Sequence, residues 1–235
     1  MTEKEILGPR EFYDEMAPYY ESFIERTRFS FLSLEEERIF VESFIHNKKK
    51  IMDLGCGTGR TMKLISNRGR ELIGVDISSK MLEIARNDGL DVVQASVLNL
   101  PFANRYFDAI YSLHTGFGYC RNNDEVEKLA LELFRVLKEG GLILLDTPHG
   151  MVRGQQYIIS WPAGTKMIDL MGYGKTKEEI SKALERAGFG QIRFLGAYKE
   201  YEELQNKSRR IIVLAIKGRK YGVTAKASQR RLSGW

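Results

Sequence analysis

Three glycines alternate with other residues at 55, 57 and 59, directly after the apolar run Ile51-Met52-Asp53-Leu54, in the stretch IMDLGCGTGR (51–60). A strand entering a glycine loop that opens into a helix presents free N–H groups and a positive dipole end to a ligand. Glycine also removes side chains that would block close approach. Two details narrow the ligand. The dinucleotide fingerprint needs glycine at its first, third and sixth positions, and the sixth here is Arg60. Asp53 would repel a diphosphate but suits a cationic amine. At the end of the next apolar run, ELIGVD (71–76), Asp76 can accept from both hydroxyls of a ribose and would repel a 2′-phosphate. These residues point to an adenosine-type ligand with a cationic amino end.

The elements that must position them follow from periodicity. From Lys50 the chain alternates short apolar runs with amphipathic stretches. The runs are KIMDL (50–54), ELIGVD (71–76), DVVQA (91–95), DAIYSL (108–113), LILLD (142–146), IRFLGA (192–197) and RIIVLAI (210–216). Helical spacing fills 58–68, 78–87, 123–138 and 176–187, the last opening on a capping box, Thr176 to Glu179, and stopping at Gly188. Strands separated by helices of that length need crossover connections, hence a largely parallel sheet of seven strands with helices on both faces. Ahead of it, Phe12, Met16, Tyr19, Tyr20, Phe23 and Ile24 recur at three and four, on a helix interrupted near Pro18. A second capping box, Ser33 to Glu36, opens another helix. Residues 147–175 fit no clear period and are expected to form a lid or substrate wall where the chain leaves a strand's carboxyl end.

Apolar residues make up 43% and charged residues 29% of the 235, values of a globular protein. No apolar run is long enough for a membrane span and the acidic start is unlike a signal peptide, so a cytoplasmic chain without a membrane partner is expected. Two cysteines, Cys56 and Cys120, give no disulfide framework, and three scattered histidines give no zinc spacing, so no metal is expected. The segment 217–235 holds six Lys or Arg and no acid, which leaves the rest close to neutral despite the net charge of +5. A basic tail is a solvated extension or an interaction arm.

The stretches IMDLGCGTGR, ELIGVDISSKMLEIAR, LPFANRYFDAIYS and LFRVLKEGGLILLD together resemble the class I S-adenosylmethionine-dependent methyltransferases, in the branch with the DLGCGTG loop, over about residues 10–217. The resemblance implies an α/β, Rossmann-like fold, its last strand antiparallel, in a domain over 1–217. N-terminal helices would cap it in 1–48, with the lid in 147–175 and a basic tail in 218–235. S-adenosylmethionine would be bound and S-adenosylhomocysteine released. Asp53, Gly55 and Gly57 would surround the methionine part, with Cys56 packing between the glycines, and Tyr20 would reach the methionine carboxylate. Asp76 would hold the ribose, Ile77 and Met81 would flank adenine, and the Leu113 backbone would accept from the amine. Similar enzymes place an Asp near the adenine amine; here Ala95-Ser96-Val97 stands there, leaving Ser96 and the Val97 backbone to serve.

A methyl sulfonium carries its own leaving group, so the protein mainly aligns donor and acceptor and excludes water. A base is needed only for a protonated acceptor, and His114 and His149 follow the fourth and fifth strands as candidates. Ser112-Leu113-His114-Thr115 stands where nucleic-acid amino-methylating enzymes carry Pro-Pro-aromatic, and Cys120, between Tyr119 and Arg121, lacks the proline that typically accompanies a cytosine-methylating cysteine. The expected acceptor is an oxygen or nitrogen of a small molecule, walled by Tyr13, Phe117, Tyr119, Tyr157 and Trp161. The alternatives are a tRNA or rRNA acceptor held by the basic tail and a binding protein without catalysis. The sequence leaves the oligomeric state open.

Overall fold

The computed structural model describes residues 6–27, 33–65, 69–114, 116–148, 156–196 and 210–218. Ile6–Leu7 forms a short strand, β1, ahead of α1 (Pro9–Met16). Proline at the first helical position suits α1. A 3-10 turn, Ala17–Tyr19, carries Pro18 and leads into α2 (Tyr20–Thr27). The interruption lies where proline removes a helical hydrogen bond. α3 (Leu34–Ile45) starts with both halves of the Ser33–Glu36 capping box formed.

The main sheet uses β2 (Lys50–Leu54), β3 (Glu71–Asp76), β4 (Val92–Gln94), β5 (Phe107–Ser112), β6 (Leu137–Pro148), β9 (Phe189–Leu195) and β10 (Arg210–Lys217), in the order β4-β3-β2-β5-β6-β10-β9. β4, β3, β2, β5 and β6 run parallel, while β10 pairs antiparallel with both β6 and β9. The last strand is therefore antiparallel, as expected. The helices α4 (Arg60–Ile65), α5 (Ser79–Asn87), α6 (Asn123–Val136) and α7 (Lys177–Ala187) link or flank the strands. α6 and α7 bury Val126, Leu129, Leu133, Ile180 and Leu184 in one core cluster. α3 and α4 bury Phe40, Val41, Ile45, Met62 and Ile65 in another. A sheet apolar on both faces reads as continuous apolar runs, which is why the runs were legible in the sequence.

The segment 147–175, which showed no clear period, contains regular structure. Its described part is a hairpin of β7 (Gln156–Ala163) and β8 (Lys166–Tyr173), paired antiparallel, with β1 added parallel to β8. Its inner side supplies Trp161, Ala163, Ile168 and Leu170 to a third core with Phe12, Met16, Phe23 and Ile24. The alternation was masked because the outer side carries Ile158 and Met167, both about half exposed, and because Pro162 lies inside the strand. The expected helix over 58–68 begins only at Arg60, and 66–68 fall outside the described residues. The helix expected over 123–138 ends at Val136, where the chain passes directly into β6. The basic tail from 219 onward lies outside the described residues.

Candidate functional site

The carboxyl ends of β2, β3, β5 and β6 lie along one edge of the sheet. Leaving β2, Gly55 and Cys56 donate their N–H groups to the Val75 carbonyl at 2.7 and 3.1 Å, which ties the loop to the end of β3. Gly55, Gly57 and Gly59 have φ of 75, 55 and 76°, the left-handed region open mainly to glycine. Their requirements differ. A Cβ on Gly59 would lie 2.2 Å from Leu90 Cδ1, whereas one on Gly57 would meet nothing within 4 Å. Gly59 packs the helix start and Gly57 faces open space.

Asp76, closing β3, is fixed from both sides. Its Oδ2 accepts from Gly57 N–H and its Oδ1 from Ser78 N–H, each at 2.9 Å. Burial raises its pKa and these amide bonds oppose the rise. Ser78 also caps α5 by accepting from Met81 N–H, and its hydroxyl donates to Asp14 Oδ1 at 2.7 Å.

Asp53 is 5% exposed. Its register partner on β5, Tyr111, donates its hydroxyl to Asp53 Oδ2 at 2.8 Å. Burial pushes Asp53 up to about 7; the charges of Asp76 and Glu37 add to this and the Tyr111 bond opposes it. A carboxyl so placed gains most from a cationic ligand group. Opposite Asp53 on β3, Gly74 leaves room for Cys56 and Met62, whose sulfurs would lie 2.7 Å from a Cβ there. Cys56 therefore packs on the sheet, and burial holds its thiol well above the ordinary value, away from thiolate chemistry.

Tyr20 is half-buried and pushed up to about 12, chiefly by burial, while a hydrogen bond with Arg60 works the other way. That phenol and guanidinium beside the start of α4 suit a carboxylate. Thr58 Oγ1, in a residue 1% exposed, has no hydrogen-bond partner among the described residues, a cost that a polar ligand atom would relieve. Sequence reasoning missed Thr58, although its place between two glycines was visible.

The adenine-side expectations fall as follows. Ile77 is half-buried beside Asp76, and its carbonyl accepts from Gln94 Nε2 at 3.1 Å. Met81, 1% exposed, packs into the third core. Ser96 and Val97 are half-buried after β4, with Ser96 Oγ accepting from Leu98 N–H at 3.2 Å within its own turn. Leu113, 7% exposed, directly follows β5 and packs in the α3-side core.

Beyond β5, His114 has φ 71°, uncommon for a residue with a side chain. Its Nε2 lies 2.9 Å from Glu37 Oε1, and its backbone N–H donates to Asp146 Oδ2 at 3.2 Å. Asp146 is fully buried and paired with Arg210 Nε. Glu37 was not foreseen. It stands on the buried stripe of α3 with Phe40, Val41 and Ile45, and an acid at that spacing was the available signal. His149 lies outside the described residues.

Of the expected aromatic wall, Tyr13 and Tyr119 join hydroxyl to hydroxyl at 2.5 Å, and Trp161 meets Tyr13 and Tyr20 at ring centroid distances of 6.4 and 6.1 Å. Tyr157 is half-buried on β7. Phe117 is a correction: it is fully buried in the main core with Leu129 and Leu133 and forms no wall. Among the described residues no acid, Cys and His group could hold a metal, and no helix is long and apolar enough to cross a membrane.

Known proteins share this fold. A family model described as a methyltransferase domain matches residues 51–141. A demethylmenaquinone methyltransferase of Thermobifida fusca is 32% identical over 143 residues, covering 55% of this chain and 59% of its own length. A tRNA (carboxymethyluridine(34)-5-O)-methyltransferase of Arabidopsis thaliana is 29% identical over 158 residues, covering 67% and 37%. The chain thus spans less than two thirds of the length of these relatives. A crystal structure of an S-adenosylmethionine-dependent methyltransferase from Clostridium acetobutylicum superposes with a TM-score of 0.69 at 20% identity, over 88% of this chain and 99% of that one.

Proposed function

We propose that this chain is a class I methyltransferase, a reading supported by the methyltransferase-domain match over 51–141 and the shared fold, and that it transfers a methyl group from S-adenosylmethionine to an oxygen or nitrogen of a small molecule. The observation that carries this is the pairing of two carboxyls at an open glycine loop: buried Asp53, raised to about 7 chiefly by that burial, and half-buried Asp76, oriented by two amides. That set fits a ligand with a ribose at one end and positive charge at the other. The cofactor supplies an activated methyl on a sulfonium.

This chain's residues do the rest. Asp76 holds the ribose hydroxyls and Asp53 the ammonium, with Gly55 and Gly57 leaving room for the chain between them. Tyr20, Arg60 and Thr58 receive the carboxylate, and Ile77, Met81, Ser96 and Val97 border the base. The Leu113 carbonyl assists at the amine. The hairpin over 156–173 and the N-terminal helices exclude water from the acceptor, and His114 takes the acceptor's proton. The domain is taken as 1–217 with 218–235 as an appendage, in a cytoplasmic setting.

The relative named for tRNA supports a second reading, in which RNA is the acceptor. Transfer of labelled methyl into a cell extract tests both. Label in small-molecule fractions, unchanged by ribonuclease treatment, is the expected result. Label confined to RNA, lost when 219–235 are removed, would favour the second reading, and no transfer to any fraction would contradict both.

A further inference from the structure

Glu37 is 2% exposed, in the same turn as the exposed Glu35 and Glu36. Burying a carboxylate is costly unless its oxygens are bonded, and both are. Oε2 accepts from Thr61 Oγ1 at 3.2 Å, on α4 behind the glycine loop, and Oε1 meets His114 Nε2 at 2.9 Å, beyond β5. One acid thus joins the N-terminal helix, the cofactor-side helix and the acceptor-side histidine.

The other side of the imidazole is also defined. Asp146 Oδ2 lies 3.9 Å from Nδ1, too far for a direct hydrogen bond. It accepts instead from the backbone N–H of His114, and Asp146 is paired with Arg210. Gly116, φ 42°, brings the same loop against β6 so closely that a Cβ would lie 2.5 Å from the Asp146 carbonyl oxygen. The imidazole sits between two buried acids, one bonded to it and one held off by its own salt bridge.

We propose that Glu37 is the positioning residue for His114: it accepts the Nε2 hydrogen and leaves Nδ1 as the base for an acceptor that starts with a proton, a hydroxyl or an ammonium. This rests on the methyl-transfer reading above. The acceptor's bond to hydrogen breaks with the proton going to Nδ1 and the electron pair staying on the acceptor. A pair on that oxygen or nitrogen forms the bond to the methyl carbon, and the sulfur keeps the pair of the bond that breaks. Positive charge leaves sulfur and appears on the imidazole, where Glu37 and Asp146 favour it. An acceptor that needs no deprotonation would make no use of this arrangement, so the acceptor class narrows to protic groups.

The test is the tautomer of His114 in the wild-type chain, read from long-range proton–nitrogen correlation spectra of histidine-labelled protein. With three histidines in the sequence, a His114→Gln sample assigns the signal. The expected spectrum of the neutral ring has a protonated, pyrrole-like Nε2 and a bare, pyridine-like Nδ1. A ring protonated on Nδ1 would overturn the proposal. In folded Glu37→Gln, which replaces the carboxylate facing Nε2 by a neutral amide, the tautomer preference should weaken. An unchanged tautomer preference in that variant would also overturn it. If Glu37→Gln does not fold, the wild-type spectrum decides. Failure of the methyl-transfer reading would show separately, as absence of S-adenosylhomocysteine binding by wild type.

Discussion

The two halves of the site are built by different means. On the cofactor side, Asp76 is held by two main-chain amides, Gly57 N–H and Ser78 N–H, the Val75 carbonyl ties the glycine loop to β3, and Asp53, 23 residues before Asp76, takes one side-chain bond from Tyr111. On the proposed acceptor side, His114 is bonded to Glu37, 77 residues earlier, and to Asp146, 32 residues later, while Tyr13, Tyr119 and Trp161, the proposed wall, meet from three distant segments. A cradle of backbone amides is specified locally and serves any acceptor chemistry. A wall of side chains from distant segments can change without disturbing it.

If that contrast is right, damage to the cradle should be large and shared between folding and binding. Gly59→Ala forces a left-handed residue against Leu90, and should cost about 3 kcal/mol in denaturant-induced unfolding and abolish cofactor binding; retention of both would show that the loop tolerates other geometries. Asp53→Asn should divide the two properties. Because Asp53 is raised from 3.8 to about 7 in the folded chain, the native state holds its proton more tightly than the unfolded one. Its stabilising contribution is present in acid and is lost as pH rises towards 7. At pH 8 the asparagine variant should therefore be more stable without ligand, by on the order of 2 kcal/mol, yet bind S-adenosylhomocysteine more weakly by a similar amount. Parallel losses in both would contradict the role given to Asp53.

Asp76→Ala should weaken S-adenosylhomocysteine binding by roughly 1–3 kcal/mol, the scale of a charged hydrogen bond, and calorimetry giving an unchanged dissociation constant would remove the ribose role. The smallest effect belongs to the wall. Tyr119→Phe deletes only the hydroxyl bonded to Tyr13. It should cost about 1 kcal/mol of stability and leave cofactor affinity alone; a large loss of affinity would mean that the two halves are not separable.

The same contrast explains what the sequence disclosed. The seven main strands, both capping boxes, the glycine loop and the strand-ending Asp76 rest on short-range pattern: apolar runs, helix-start chemistry and turns that need glycine. The β7–β8 hairpin was hidden because Ile158 and Met167 put apolar residues on both its sides and Pro162 interrupts its alternation. Phe117 had the composition of a wall residue, and only the packing of α6 shows it to be core. Glu37 sits within a run of three acids that reads as a solvated face; its partner His114 is brought to it by the sheet, a relation no window of local sequence contains.

The most direct measurement of the central claim is calorimetric titration of the wild-type chain with S-adenosylhomocysteine between pH 6 and 8.5. Saturable one-to-one binding is predicted, strengthening as pH rises through 7, with proton release at the acid end as Asp53 ionises against the ligand's ammonium. No binding, or binding indifferent to pH across that range, would contradict it.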